Sequence, residues 1–185
     1  RAMRLENHRV NCWLVHGLIP DQGWPEHITE YIFPWPYPNG QDGQDNKPRV
    51  FNLLRQHSAD GRANVLICGH SHVPSLLVWE RGAIRWTPKE ISYCKKKINL
   101  GDYEAVIINV GSVGLPRNCD PETHAAYGIL NTEDASFEFC RETYDSIDVR
   151  AEMCAMKDVY AMRYVHLLEG AYDNNSLWKV KTPWT

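Results

Sequence analysis

The 185-residue sequence has no long apolar run and little excess of charge of either sign. No stretch approaches the ~18 apolar residues that a membrane-spanning helix needs, and residues 1–6 carry no apolar signal-peptide core. The formal net charge is only −3, which provides no electrostatic attraction to nucleic acid or to an anionic membrane. These absences predict a globular protein of the cytoplasm that binds neither nucleic acid nor membrane.

The sequence also lacks any pair of cysteines in C-x-x-C spacing. Several of its cysteines lie inside apolar runs, a pattern typical of buried free thiols in a reducing compartment. We therefore expect neither a disulfide framework nor a structural zinc site built from thiolates. The six cysteines are Cys12, Cys68, Cys94, Cys119, Cys140 and Cys154.

What is present is the pattern of one α/β domain spanning residues 1–185, with 43% apolar and 23% charged residues. Apolar runs predict strands over Val10–Val15, Ala63–Cys68 and Glu104–Val110, the last two buried on both faces. Further strands, helices and surface segments follow from turn and capping signals. They are strands Ser75–Glu80 and Ala83–Trp86, a hairpin of Ala125–Leu130 with Ser136–Arg141, helices Arg49–His57 and Ser146–Glu169 with Asp145 as N-cap, a long loop over 18–48, and a polar surface excursion over 87–103.

Three histidines follow predicted strands. His16 comes after the first strand, and His70 and His72 come after Ala63–Cys68. Because side chains at i and i+2 of extended backbone point the same way, His70 and His72 are expected to face one site. Ligands collect at the carboxyl ends of strands in α/β sheets, and imidazole suits Zn, Fe, Mn or Ni. The three histidines therefore predict one convergent metal site, with Asn109 at a third strand end offering an amide.

The histidines belong to a longer set of motifs. In chain order these are His16-Gly17, Pro20-Asp21, Gly69-His70-Ser71-His72 and Asn109-Val110-Gly111-Ser112-Val113-Gly114-Leu115-Pro116-Arg117. Together they closely resemble the calcineurin-like metallophosphoesterase superfamily, within its small bacterial and archaeal phosphodiesterase branch. The superfamily has proline at the position of Val110, a departure that changes the turn but no ligand.

The resemblance implies part of a four-layer α/β/β/α sandwich that holds two divalent metal ions, drawn from Mn, Fe, Zn, Ni or Mg. It implies hydrolysis of a phosphate ester, in a small molecule or a phosphoprotein, by a metal-bridging hydroxide. Carried over residue by residue, His16 and His70 bind the second metal and His72 binds the first. Arg117 and Asn109 are weaker candidates for contact with the substrate.

The same resemblance exposes what the sequence lacks. The superfamily carries a D-x-H, a G-D whose aspartate bridges the metals, and a G-N-H whose histidine aids catalysis. No D-x-H or G-N-H occurs here, and Gly101-Asp102 comes late, inside the polar excursion. We therefore assign no catalytic residue, and we expect the chain to be the C-terminal portion of a metallophosphoesterase domain, inactive without its ligand-bearing N-terminal half.

Three other interpretations of the histidines stay open, one of which is a purely structural domain whose histidines are unrelated to each other. The chain can be a metal-free binding or scaffold protein derived from a phosphoesterase, as the missing aspartates would require if no other segment supplies them. It can also be a mononuclear zinc hydrolase, in which His16, His70 and His72 hold one ion and water takes the fourth position. The number of ions bound per chain bears on this choice.

Overall fold

The computed structural model describes residues 3–17, 47–56, 61–86, 96–114, 124–145 and 147–156. Nine strands, two α-helices and one 3-10 turn lie in these residues. In chain order they are β1 (Met3–Glu6), β2 (Val10–Leu14), α1 (Lys47–Gln56), β3 (Ala63–Cys68), β4 (Ser75–Glu80), β5 (Ala83–Trp86), β6 (Lys96–Asn99), a 3-10 turn (Leu100–Asp102), β7 (Ala105–Asn109), β8 (His124–Asn131), β9 (Ser136–Thr143) and α2 (Ile147–Ala155).

The larger sheet has six strands in the order β1-β2-β3-β7-β4-β5. Its centre consists of β2, β3 and β7, which run parallel, while β4 runs antiparallel to β7. Every residue of β3 and β7 is buried, as their continuous apolar sequences require of strands covered on both faces. The outer strands β1 and β5 pair antiparallel to their neighbours.

Alternation along the central strands divides the core into two clusters. On β3, Val65 and Ile67 point to one face and Leu66 and Cys68 to the other. The first face packs against the smaller sheet, ordered β6-β9-β8, through side chains such as Phe137. The second face packs against α1 through its buried residues Val50, Phe51 and Leu54.

The described residues thus form three layers, a helix, a six-stranded sheet and a three-stranded sheet. This architecture confirms the α/β class. A fourth, helical layer on the outer side of the smaller sheet stays a prediction, because Ile147–Ala155 has no buried residue. No helix in the described part of the chain is long and apolar enough to cross a membrane.

Most of the predicted strands are confirmed. The bounds of β3, β4 and β5 match the prediction residue for residue, and the β8–β9 hairpin is present with longer arms. Asp145 caps α2 as predicted, because its Oδ1 accepts a hydrogen bond of 2.8 Å from the Ile147 amide. The remainder of that predicted helix, residues 157–169, lies outside the described residues. So do residues 18–46 of the loop predicted over 18–48, whereas its last two residues, 47 and 48, begin α1.

The prediction of a polar surface excursion over 87–103 is wrong for its second half. Residues 96–99 form β6, which pairs with β9, and the turn that follows closes the inter-sheet core. Ile98 is 6% exposed and Leu100 is fully buried, between exposed Lys97 and Asn99. This lysine-rich segment contains a short strand, and only its alternate residues face the other sheet, so no apolar run marks it in the sequence. The exposed strand β1 was also not predicted.

Candidate metal centre

The carboxyl ends of β2, β3 and β7 meet at one edge of the larger sheet, because the three strands are parallel and in register. The pairing continues beyond the strands themselves. The carbonyl oxygen of His16 accepts hydrogen bonds from the amides of Gly69, at 3.1 Å, and His70, at 2.9 Å. These backbone bonds place His16 directly beside His70, so the sheet itself brings the two histidines together.

The two imidazoles are in contact. His70 Nδ1 lies 2.6 Å from His16 Nε2, and the ring centroids are 4.5 Å apart with 61° between the ring planes. At this distance the two nitrogens form a hydrogen bond, in which one donates and the other accepts according to the tautomers of the two rings. His16 is exposed and His70 half-buried, so the pair lies at the protein surface, where an ion can reach it.

The geometry of this pair is compatible with two ligands of one ion. Metal–nitrogen bonds of about 2.0–2.1 Å place two neighbouring imidazole nitrogens about 2.9–3.4 Å apart on one ion. The observed 2.6 Å therefore has to open by less than about 1 Å, which small ring rotations can provide. Among the described residues, however, no group of three or more His, Cys, Asp or Glu side chains can hold a metal ion.

His72 does not follow the extended geometry expected of it. Residues 70 and 71 form a turn, in which the His72 amide donates to the Gly69 carbonyl at 2.9 Å. His72 itself has φ of 59°, a left-handed conformation that costs a residue with a Cβ roughly 1–2 kcal/mol. The expectation that His70 and His72 point the same way along extended backbone is wrong, and the role of His72 as a ligand stays a prediction.

Gly69, which precedes the two histidines, is not among the described residues with positive φ. The strained position of the turn is His72 instead. Residues held in sparsely populated conformations occur preferentially at functional sites, where the surrounding structure imposes them. The same left-handed backbone occurs at Arg81 and Ala135, in the turns before β5 and β9, so the φ of His72 alone does not mark a functional site.

Residues 69–74, which we call the histidine bridge, connect β3 to β4. These two strands lie on opposite sides of β7, so the bridge crosses the carboxyl end of β7. Asn109 is the last residue of β7 and pairs with Cys68 on one side and Ser75 on the other. Asn109 therefore lies directly beneath the bridge.

Asn109 is 2% exposed, and its amide is engaged inside the protein. Its Nδ2 donates to Ser71 Oγ at 2.8 Å, and its Oδ1 accepts from the Gly111 amide at 2.9 Å. Such a buried group offers no surface for a substrate in this structure. Its location favours a structural role at the bridge over the substrate contact considered from the sequence. Arg117, the other substrate-binding candidate, lies outside the described residues.

The turn after β7 packs against the bridge. Gly111 has φ of +94°, and a Cβ there would lie 2.8 Å from Pro74 Cγ and 2.9 Å from Ala126 Cβ. The next residue, Ser112, accepts a hydrogen bond of 2.9 Å from the Ala126 amide through its carbonyl oxygen. The bridge, the turn and strand β8 of the smaller sheet therefore meet at Gly111, where only glycine fits.

Neither Cys68 nor Asp102 is suited to join the histidines. Burial raises the pKa of the Cys68 thiol to about 12, and the hydrogen bond from Asn109 only partly offsets this, so without an ion Cys68 is a neutral thiol, and it packs in the cluster that faces α1. Asp102 precedes β7, at the opposite end of a strand about 15 Å long. Its Oδ1 accepts from Asn99 Nδ2 at 2.9 Å, within a local turn.

Sequence reasoning missed Ser71 and Pro74, the two other members of the bridge that hold it in place. Ser71 is 1% exposed, although it stands between two histidines that reach the edge of the sheet. The signal available in the sequence was the presence of a small hydroxyl residue between the histidines. Its burial depends on the crossing over β7, which no local pattern reveals.

Comparison with solved structures yields a metallophosphoesterase from Sphaerobacter thermophilus. It superposes with a TM-score of 0.58 at 19% sequence identity, covering 91% of this chain and 59% of that protein. This chain therefore spans about three fifths of the matched protein's length. No protein-family model matches the sequence, and no curated protein matches it. The structural likeness confirms the metallophosphoesterase-like α/β fold that the motifs predict.

Proposed function

We propose that this chain supplies the histidine side of a divalent-metal centre that hydrolyses phosphate esters. The observation that carries the proposal is the contact between His16 Nε2 and His70 Nδ1, 2.6 Å apart at the carboxyl edge of three parallel strands. The shared fold with a metallophosphoesterase supports it.

In this proposal His16 and His70 act as neutral nitrogen donors to one ion, and His72 serves the other. A bound divalent ion supplies Lewis acidity to a phosphoryl oxygen and lowers the pKa of a coordinated water. The protein's own contribution is positional, because the backbone bonds from Gly69 and His70 to the His16 carbonyl fix where the two rings lie. Ligands held in this way lose little conformational entropy when an ion binds.

Metal titration of the purified chain tests the histidine assignment. We expect Co²⁺, followed by its visible absorption, to bind with an affinity that falls at least tenfold in His16→Ala and in His70→Ala. His72→Asn is the third variant, because asparagine tolerates a positive φ better than alanine does. His8→Ala is the matched control, since His8 is exposed and lies at the start of β2, away from the histidine edge.

Each outcome of this titration is informative. If wild-type protein takes up no ion, the metal-free scaffold interpretation gains and the proposal fails. The proposal also fails if His8→Ala loses as much affinity as His16→Ala. One ion per chain accompanied by hydrolysis would favour the mononuclear zinc enzyme instead.

The catalytic part of the proposal makes a separate prediction. We expect the 185-residue chain alone to release no p-nitrophenol from bis-p-nitrophenyl phosphate, because its sequence contains no D-x-H or G-N-H and its Gly101-Asp102 lies at the wrong end of β7. The assay is run with and without Mn²⁺, Zn²⁺ and Ni²⁺. Metal-dependent turnover that disappears in His70→Ala would show that the chain completes its own site, against this expectation.

A further inference from the structure

The histidine bridge (residues 69–74) is held at its centre by a buried side chain from another strand. Asn109 Nδ2 donates to Ser71 Oγ at 2.8 Å, and Ser71 lies between His70 and His72. Ser71 Oγ also accepts from the Val73 amide at 3.4 Å. One hydroxyl oxygen therefore connects the end of β7 to the turn that carries both histidines.

The surroundings make this hydrogen bond hard to replace. Asn109 is 2% exposed and Ser71 1% exposed, so water cannot readily take the place of either partner. The second proton of the Asn109 amide faces Cys68 Sγ at 3.8 Å, a weak acceptor that gives little compensation. Asn109 Oδ1 is held by the Gly111 amide at 2.9 Å, which fixes the orientation of the side chain.

The same contacts connect the two turns at this edge. Asn109 bonds to the bridge through Ser71 and to the turn after β7 through Gly111, while Pro74 of the bridge packs where a Gly111 side chain would lie. A shift of the Asn109 amide therefore moves both turns. His72, with φ of 59°, follows Ser71 directly in this turn, so the same hydrogen bond supports its left-handed conformation.

We propose that Asn109 is a positioning residue, whose hydrogen bond to Ser71 fixes the histidine bridge and with it the placement of His70 and His72 as metal ligands. The inference rests on the proposed function. It assigns Asn109 a role that acts through other residues and not through contact with a substrate. Groups that orient metal ligands typically change metal affinity 10- to 100-fold when they are removed.

Variants at both ends of the hydrogen bond test the inference. We expect Asn109→Ala and Ser71→Ala each to weaken Co²⁺ binding 10- to 100-fold, and the double variant to be no weaker than either single one, because both remove the same contact. Ser71→Thr keeps the hydroxyl and is expected to retain most of the affinity. Asn11→Ala is the matched control, since Asn11 is a fully buried amide one residue into β2, towards the opposite edge of the sheet.

A second measurement reports on the bridge without metal. In ¹H–¹⁵N spectra of the histidine rings of metal-free protein, the contact between His16 and His70 is expected to give one protected, hydrogen-bonded ring proton. We expect that signal to persist in Asn11→Ala and to broaden or disappear in Asn109→Ala. Thermal unfolding of each variant, recorded in parallel, separates loss of positioning from loss of folding.

The outcomes separate this inference from the proposed function. If wild-type protein binds Co²⁺ through His16 and His70 while Asn109→Ala binds it as tightly, the positioning role is wrong and the proposed function stands. If wild-type protein binds no Co²⁺, the proposed function fails, and the positioning role as stated fails with it. If Asn11→Ala weakens binding as much as Asn109→Ala does, the effect reflects general stability and the inference is overturned.

Discussion

Replacement of Gly111 by alanine should destabilise the protein for two separate reasons, and the chain contains glycines that isolate each of them. Gly111 has φ of +94°, and an added Cβ would lie 2.8 Å from Pro74 Cγ and 2.9 Å from Ala126 Cβ. Gly61 has φ of +69° with nothing within 4 Å of its Cβ position, so it isolates the backbone effect. Gly128 has no positive φ, but a Cβ there would overlap the ring of Phe137, so it isolates the steric effect.

The magnitudes follow from these contacts. Alanine at Gly61 costs roughly 1–2 kcal/mol for the left-handed backbone, offset by about 0.4–1 kcal/mol from the stiffer unfolded chain. Alanine at Gly128 overpacks the core and costs about 1–3 kcal/mol. Gly111→Ala combines both effects, and we expect a loss of about 2–4 kcal/mol. Gly114→Ala, with nothing within 4 Å, is expected to change the free energy of unfolding by less than about 0.5 kcal/mol.

Urea unfolding with linear extrapolation measures the four variants on one scale. For a chain of this size a change of 1 kcal/mol moves Tm by about 2–4 °C, so thermal scans provide a check. If Gly111→Ala lowers the free energy of unfolding no more than Gly61→Ala does, Pro74 and Ala126 move aside without an energetic penalty. Gly111 would then not be a point of close packing between the bridge and the two sheets.

Two further predictions concern buried groups away from the histidines. Burial raises the pKa of Cys12 and of Cys68 to about 12, so at pH 8 both are protonated and should react with iodoacetamide only after unfolding, whereas exposed Cys154 should react in the native protein. Alkylation of native Cys68 at the rate of Cys154 would contradict this. Asn11 Nδ2 donates to Asn64 Oδ1 at 3.0 Å, both residues being buried, so Asn11→Ala should cost roughly 1–3 kcal/mol because it leaves a buried acceptor unsatisfied. In urea unfolding, the double variant Asn11→Leu/Asn64→Leu should lose less free energy of unfolding than Asn11→Ala does. A loss in the double variant equal to the sum of the losses in the two single variants would refute the pairing.

The parts of the fold that could be predicted from the sequence are those fixed by local pattern. Strands β3 and β4 are mostly apolar runs that end at turn residues, and their bounds are those predicted. β6 could not be predicted because Ile98 and Leu100 alternate with lysine and asparagine. These two side chains are buried only because β6 pairs with β9 and faces the core between the sheets. β1 alternates Met3 and Leu5 with charged residues, but both apolar side chains are exposed, and an alternation of four residues is at the lower limit of a strand pattern.

The candidate metal centre also has one part that local sequence pattern predicts and one part that it does not. His16 and His70 could be expected to meet, since each follows a parallel strand and such strands end at one edge. The geometry of His72 and the burial of Asn109 could not be predicted, because both depend on the passage of the chain from β3 over β7 to β4. That passage requires a turn where extended backbone was expected, and it covers an amide that would otherwise face solvent.

The charge of the ligands sets how many ions this chain can hold by itself. Two divalent cations about 4 Å apart repel each other by roughly 16 kcal/mol at an effective dielectric constant of 20, and neutral imidazoles do nothing to reduce that repulsion. A pair of ions needs carboxylates between them, and the described residues contain no group of three or more His, Cys, Asp or Glu side chains suited to hold an ion. The chain alone should therefore take up at most one Co²⁺, held by His16 and His70. A second ion should bind only when acidic ligands are supplied, so two ions bound to the isolated chain would show that carboxylates of this sequence reach the histidine edge.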